Sequence, residues 1–318
     1  LIGDPYMTEA FLFDLLLTVM AYLNLPYQFL IIFSSFLLII CGMKWMMKYP
    51  EIMGFSVPWF YILTFSAENL FRWYIAAGFL LVAITEFLNE KRRKALVYTI
   101  ISVGFHPMMA LLAILFLVLS FKKNILIVPL GALCIYIGIS VVWSTDFMRT
   151  LVPFANYVLS YSEKYSSHYG TDVESWLVGD VNEMGDVSTF RIFLDFILCV
   201  FLLFKGAKIA QKKRELMLYY NIMAMGLILS PAMKSIELCD RFNQIMLIFQ
   251  CIIGGYCLKD SICSKKKKGI SLVLSLFIIL ILGQNTFKRL TPTNKYYTYY
   301  IWDANGKKNL SPHDLDTY

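Results

Sequence analysis

With 318 residues, 58% of them hydrophobic and only 16% charged, the chain is too apolar for a water-soluble domain, which carries roughly 25% charged residues. Its mean hydropathy of +0.61 is gathered into runs near the ~20 residues that cross a bilayer as a helix, and nothing alternates as membrane strands do. The net charge of +7 does not mark a nucleic-acid binder, because the basic residues sit between apolar runs, where they set membrane orientation.

In chain order, residues 11–23 read as an amphipathic helix on the outer surface, with "LNLP" as its turn. Five basic clusters follow: Lys44 with Lys48, Lys91 to Lys94, Lys122-Lys123, the group from Lys205 to Arg214, and Lys259 with Lys265 to Lys268. They hold 18 of the 29 Lys and Arg, and all five are assigned to the cytoplasm. Spans then alternate as 27–43 inward, 52–67 outward and 70–88 inward. The run "ALVYTIISVGFHPMMALLAILFLVLSF", 95–121, has basic clusters at both ends, so one straight span would put a cluster outside. A hairpin of two short helices broken at His106-Pro107 avoids this, because proline interrupts helical hydrogen bonding. A single span is the alternative.

The remaining spans are 124–143 outward, 191–204 inward, 216–231 outward, 242–258 inward and 270–287 outward. They leave an external loop at 144–190 and an external tail at 288–318. The expected fold class is all-α: one polytopic membrane domain over 1–318 with about ten transmembrane segments, two of them short. A chain that starts outside at Leu1 suggests that an upstream transmembrane helix is missing. No cleaved signal peptide, internal repeat or second soluble domain is visible. Of the seven cysteines, only Cys239 falls on the external side. A disulfide framework is therefore not expected, and no zinc-ligand spacing occurs.

The external side carries the unusual residues. In "SAENLFRWYIAAGF", Glu68 and Arg72 are four residues apart on one helix face, where a simple salt bridge explains them. Lys234, Glu237, Asp240 and Arg241 in "SPAMKSIELCDRF" fall at the same membrane face, Arg191 opens another span there, and His106 tips the hairpin. Any one of these side chains can snorkel to the headgroups. Several at one depth, on the side where positive charge is scarce, favour an anion site. Arginine suits it, because its planar fork grips phosphate oxygens bidentately and stays charged.

The 144–190 loop holds seven acids and the segment "YVLSYSEKYSSHY", in which Tyr157, Tyr161, Tyr165 and Tyr169 recur every fourth residue. On a helix they form one stripe, either a stacking platform for sugar rings or an interfacial belt at headgroup level. The tail tyrosines, Tyr296 to Tyr300, read as such a belt. "DLD" at 314–316 matches an Asp-x-Asp metal pattern but lies at the extreme tail. No metal and no cofactor are expected.

The stretch "FRWYIAAGFLLVAITEFLNEKRRKALVYTIISVGFHPMMALLAILFLV" resembles the EpsG-like branch of the Wzy-type polysaccharide polymerases. The matching features are Arg72, the small pair Ala76-Ala77, the basic turn Lys91 to Lys94, and Phe105-His106. "CDRFNQIMLIF" resembles the family's later Arg-aromatic element at Arg241-Phe242, and "GDPYM" is similar to a degenerate Gly-x-Asp-Tyr element. Trp73 stands where the family has glutamine, and the family's first helix lies upstream of Leu1.

The resemblance implies a GT-C-like membrane glycosyltransferase in the bacterial cytoplasmic membrane. Such an enzyme joins oligosaccharide repeat units carried on undecaprenyl pyrophosphate at the outer face, building an O-antigen, capsule or exopolysaccharide. Arg72, Arg241 and Arg191 would then hold the departing pyrophosphate. His106 would be the first choice of base, with Glu68 or Asp240 second; Glu68 alternatively holds Arg72. Tyr157, Tyr161 and Tyr165 would bind sugar. The implied partners are the lipid-linked oligosaccharide, the bilayer and a chain-length regulator, with no nucleic acid. The rival readings are an O-antigen-ligase-like transferase, a flippase or transporter of lipid-linked oligosaccharide, whose substrate groups would sit near the midplane, and a membrane O-acyltransferase resting on His106.

Overall fold

The computed structural model describes residues 10–64, 71–121, 125–142, 189–233 and 237–263, with isolated positions between 150 and 157 and between 273 and 280. Every regular element among them is a helix, and this bears out the all-helical class. The first is α1, Phe11–Tyr22. Asn24 follows it with a φ of 52°, a left-handed conformation that asparagine adopts more readily than most residues. Pro26 then opens α2, Tyr27–Met46. Contrary to the amphipathic helix expected at 11–23, the outward side of α1 is apolar as well, with Phe11, Leu15 and Val19 exposed while Phe13 and Met20 are buried.

Next come α3, Met53–Thr64; α4, Phe71–Leu88; α5, Arg92–Phe105; and α6, Met109–Phe121. The break between α5 and α6 falls at His106-Pro107. His106 is extended, with φ −153° and ψ 111°, as the residue before a proline is driven to be. Its N–H donates to the Ser102 carbonyl, and its own carbonyl accepts from the Met109 N–H, each at 3.0 Å. Both helices line one groove against α4, so the chain turns back on itself as the hairpin reading required.

The second half comprises α7, Pro129–Val142; α8, Thr189–Lys212; α9, Met217–Met233; α10, Glu237–Ile248; and α11, Gln250–Cys263. Helix α8 runs past the expected end at 204, because the Lys, Ala and Gln residues beyond it are good helix formers. The span expected at 242–258 is instead two helices, α10 and α11, bent by 41° at Phe249. There the Phe249 N–H bonds the Met246 carbonyl in a tightened turn. The segment 270–287 and the tail lie outside the described residues apart from isolated positions.

Among the described residues, two helical stretches, Gln28–Met46 and Arg214–Met233, are long and apolar enough to cross a bilayer, and the bent α10–α11 pair makes up to three. The protein is a membrane protein. Ten crossings and a GT-C-like architecture go beyond these helices and belong to the proposal below.

Helix α9 is buried along most of its length, and so is α11 from Gln250 to Leu258. The rings of Trp45, Tyr219 and Phe249 close the core, with centroids 5.3–5.9 Å apart. One end of the bundle gathers the basic residues: Glu86 lies 3.6 Å from Lys44 and 3.9 Å from Lys91, and Lys213 pairs with Glu51 at 3.0 Å. The functional candidates lie at the opposite end.

Candidate functional site

Trp73 organises that opposite end. It is the third residue of α4 and is 2% exposed. Its ring meets His106 edge-on at 4.8 Å and Phe242 at 5.4 Å. Its indole Nε1–H donates to the backbone carbonyl of Arg241 at 3.1 Å. One side chain therefore joins α4, the α5–α6 turn and α10, three elements with no sequence proximity. The small neighbours Ala76 and Ala77, both 0% exposed, let α5 pack closely on α4. Ser102 of α5 seals that contact by donating from Oγ to the Ala76 carbonyl at 2.6 Å.

Around this joint stand the ionisable groups. Arg72 is exposed, with its guanidinium over the Phe13 ring of α1 at 5.5 Å, a cation–π arrangement. Arg241 is half-buried. Burial, and then the charges of Arg72 and Arg241, pull the His106 imidazole down to about 4, so the ring is neutral at pH 7. The same two charges show that both guanidinium groups lie within electrostatic reach of this ring. His106 Nδ1 is buried and has no hydrogen-bond partner among the described residues, a vacancy that buried polar atoms rarely keep. On α10, Asp240 Oδ2 accepts from Gln244 Nε2 at 2.7 Å, and Gln244 Oε1 accepts from the Tyr74 hydroxyl at 3.3 Å.

The structure therefore places Arg72, His106 and Arg241 about Trp73, with Asp240 next to Arg241 on α10 and linked through Gln244 to Tyr74. Arg191 lies in the first turn of α8, but its side chain falls outside what is described. Glu68, Tyr161 and Tyr165 lie outside the described residues, as does the "DLD" segment. Tyr157 is described alone and is exposed. Sequence reasoning missed Trp73, Tyr74 and Gln244 as parts of the site. Gln244 had a signal, standing one helical turn from Asp240. Trp73 had a weaker one, as the departure beside Arg72.

The arrangement suits a group that carries negative charge and a hydroxyl that must lose a proton. Two guanidinium groups, always charged, can clamp phosphate oxygens, and a neutral imidazole beside them can accept the proton. Comparison with curated proteins and with solved structures gives no match. The family model described as the EpsG family matches residues 6–302, nearly the whole length, and the chain belongs to that family.

Proposed function

We propose that this protein is a polymerase of lipid-linked oligosaccharide repeat units, working at the outer face of the bacterial cytoplasmic membrane with about ten spans in a GT-C-like arrangement. EpsG family membership supports a polysaccharide-polymerase role. The observation that carries the reaction is the meeting of Arg72, His106 and Arg241 around Trp73, from three separate elements at one end of the bundle.

In the reaction, a hydroxyl oxygen of the incoming repeat unit forms a bond to the anomeric carbon of the growing chain. The bond from that carbon to the undecaprenyl pyrophosphate oxygen breaks, and the pyrophosphate leaves with the electron pair. Negative charge grows on the leaving group, and fixed cations aimed at it lower the barrier. Arg72 and Arg241 take that role, with Arg191 as a further contact. The hydroxyl proton passes to His106 Nδ1, with Asp240 or Glu68 in reserve. A bound diphosphate offsets the two guanidinium charges and so makes His106 a better base once substrate is in place. Tyr157, Tyr161 and Tyr165 supply the sugar-stacking face.

The test is a chain-length ladder from cells in which Arg72 and Arg241 are both replaced by alanine. Loss of long chains, with normal insertion of the protein, supports the reading. A full ladder from the double variant overturns it. Long polymer left unattached in cells lacking the protein would point instead to the ligase-like rival.

A further inference from the structure

The group found against the Arg72 guanidinium is a ring, Phe13 of α1, with its centroid 5.5 Å away. Among the described residues, no hydrogen bond or ion pair reaches that guanidinium. The difference matters chemically. A carboxylate partner neutralises an arginine and takes its N–H donors in pairs. An aromatic face attracts the cation through its quadrupole. It leaves the positive charge intact and the N–H fork open to phosphate oxygens.

The ring itself is fixed. Ala10, Phe13, Leu16 and Met20 recur at helical spacing on one side of α1 and pack with Leu25 and Leu30, so Phe13 is only 9% exposed. Phe105, the residue before His106, packs against the same cluster and stacks on Phe79 of α4 at 5.8 Å. Gly104 lets α1 lie directly on α5, because an added Cβ there would fall 2.7 Å from Leu12. The far end of α1 is closed by a Schellman pair. The Leu25 N–H donates to the Met20 carbonyl at 2.9 Å, and the Asn24 N–H to the Ala21 carbonyl at 3.1 Å. Moving Phe13 away from Arg72 therefore means unpacking this cluster.

We propose that Phe13 is a positioning residue: its ring holds the exposed Arg72 guanidinium in place while leaving its charge and donors available to a diphosphate. Helix α1 thereby becomes part of the site rather than a surface attachment. A long side chain that has already lost rotamer freedom has less to lose when the ligand arrives. The diphosphate as the ligand of Arg72 rests on the polymerase reading.

The test is a substitution series at position 13 of the full chain in nanodiscs: phenylalanine, then its mono-, di- and trifluoro forms. Each fluorine drains the negative face of the ring while nearly preserving its shape. Affinity for inorganic pyrophosphate, and the rate of polymerisation of lipid-linked repeats, should both fall in steps with fluorine count, about threefold in total. In an Arg72→Gln background the residual pyrophosphate affinity should show no steps. A role for Phe13 in packing alone would give the same response in both backgrounds.

Equal pyrophosphate affinities across the series, or equal steps with and without Arg72, would overturn the proposal. A parent protein that binds no pyrophosphate would overturn it too, since Arg72 would then have no such ligand to receive. Steps in pyrophosphate affinity from a parent that makes no polymer would sink the polymerase reading and leave the Phe13 contact standing. Polymer made at one rate throughout, with pyrophosphate affinity indifferent to fluorine, would sink the contact and leave the polymerase reading standing.

Discussion

The indole Nε1–H of Trp73 reaches across 168 positions of sequence to donate to the Arg241 carbonyl at 3.1 Å. The bond ties the backbone that carries one arginine to the helix that carries the other, Arg72. Trp73→Phe keeps the ring contacts to His106 and Phe242 but deletes the donor. It should slow polymerisation about tenfold, because small displacements of a positioned group cost rate steeply. The amount of protein in the membrane should stay unchanged. Initial rates of repeat-unit consumption, with an immunoblot of membranes, check this. A Trp73→Phe enzyme as fast as the parent would show that the bond does not position Arg241 for the reaction.

His106 should give the pH profile an unusual acid limb. Burial and the two arginines hold the free imidazole down at about 4. The proton-accepting form is therefore present above that value and is lost as pH falls through it. The acid limb of kcat/KM should lie near 4 rather than near the ordinary histidine value of about 6.5. Diphosphate binding offsets the arginine charges and favours the imidazolium, so the limb of kcat should sit higher than that of kcat/KM. Arg72→Gln removes one repelling charge and should raise the kcat/KM limb. His106→Gln should lower the rate by about 10²–10⁴ and abolish the limb. A limb that survives His106→Gln would assign the base to another group, with Asp240 and Glu68 the alternatives.

Much of this was legible because it depends on local chemistry. The break at His106-Pro107 follows from proline's missing N–H and its effect on the residue before it. The gathering of Lys44, Lys91 and Lys213 at one end follows from charge alternation, which also placed Arg72, His106 and Arg241 at a common depth. Depth alone does not say which side chains meet, and their convergence on Trp73 is tertiary. A tryptophan beside an arginine at a span end reads from sequence as a headgroup anchor. The bend between α10 and α11 was hidden too, since Phe249 is neither proline nor glycine. The tyrosine stripe at 157–169 falls almost wholly outside the described residues.

Asn221 should prove a structural fastening. It is 2% exposed on α9. Its Nδ2 donates to the Ile125 carbonyl at 2.8 Å, and its Oδ1 accepts from the Ile127 N–H at 3.1 Å. The segment leading into α7 is thus held by one amide that satisfies two backbone groups. Asn221→Ala strands both and should destabilise the protein by about 1–3 kcal/mol, read as a lowered thermal midpoint in detergent. Asn221→Asp keeps the acceptor and loses the donor. A midpoint unmoved by either change would mean that water or lipid headgroups replace the amide without loss.

Gly254 should tolerate no side chain. An added Cβ there would overlap the Trp59 ring at Cζ3, and one at Gly255 would overlap Ser56 Oγ. The pair lets α11 lie directly on α3, where Ser56 Oγ donates to the Cys251 carbonyl at 2.8 Å. Trp59 is 1% exposed and cannot swing aside, so Gly254→Ala must push the helices apart, an overpacking that typically costs about 1–3 kcal/mol. Helix α3 also touches α10, so the shift should reach Arg241 and lower activity along with the thermal midpoint. Trp59→Leu in the same chain relieves the clash, and the double variant should be more stable than the sum of the two single losses, as residues in contact couple. Gly138→Ala, with open space around it on α7, should instead be neutral or slightly stabilising through alanine's better helix propensity. Equal midpoints for Gly254→Ala and Gly138→Ala would rule out the close approach of α3 and α11.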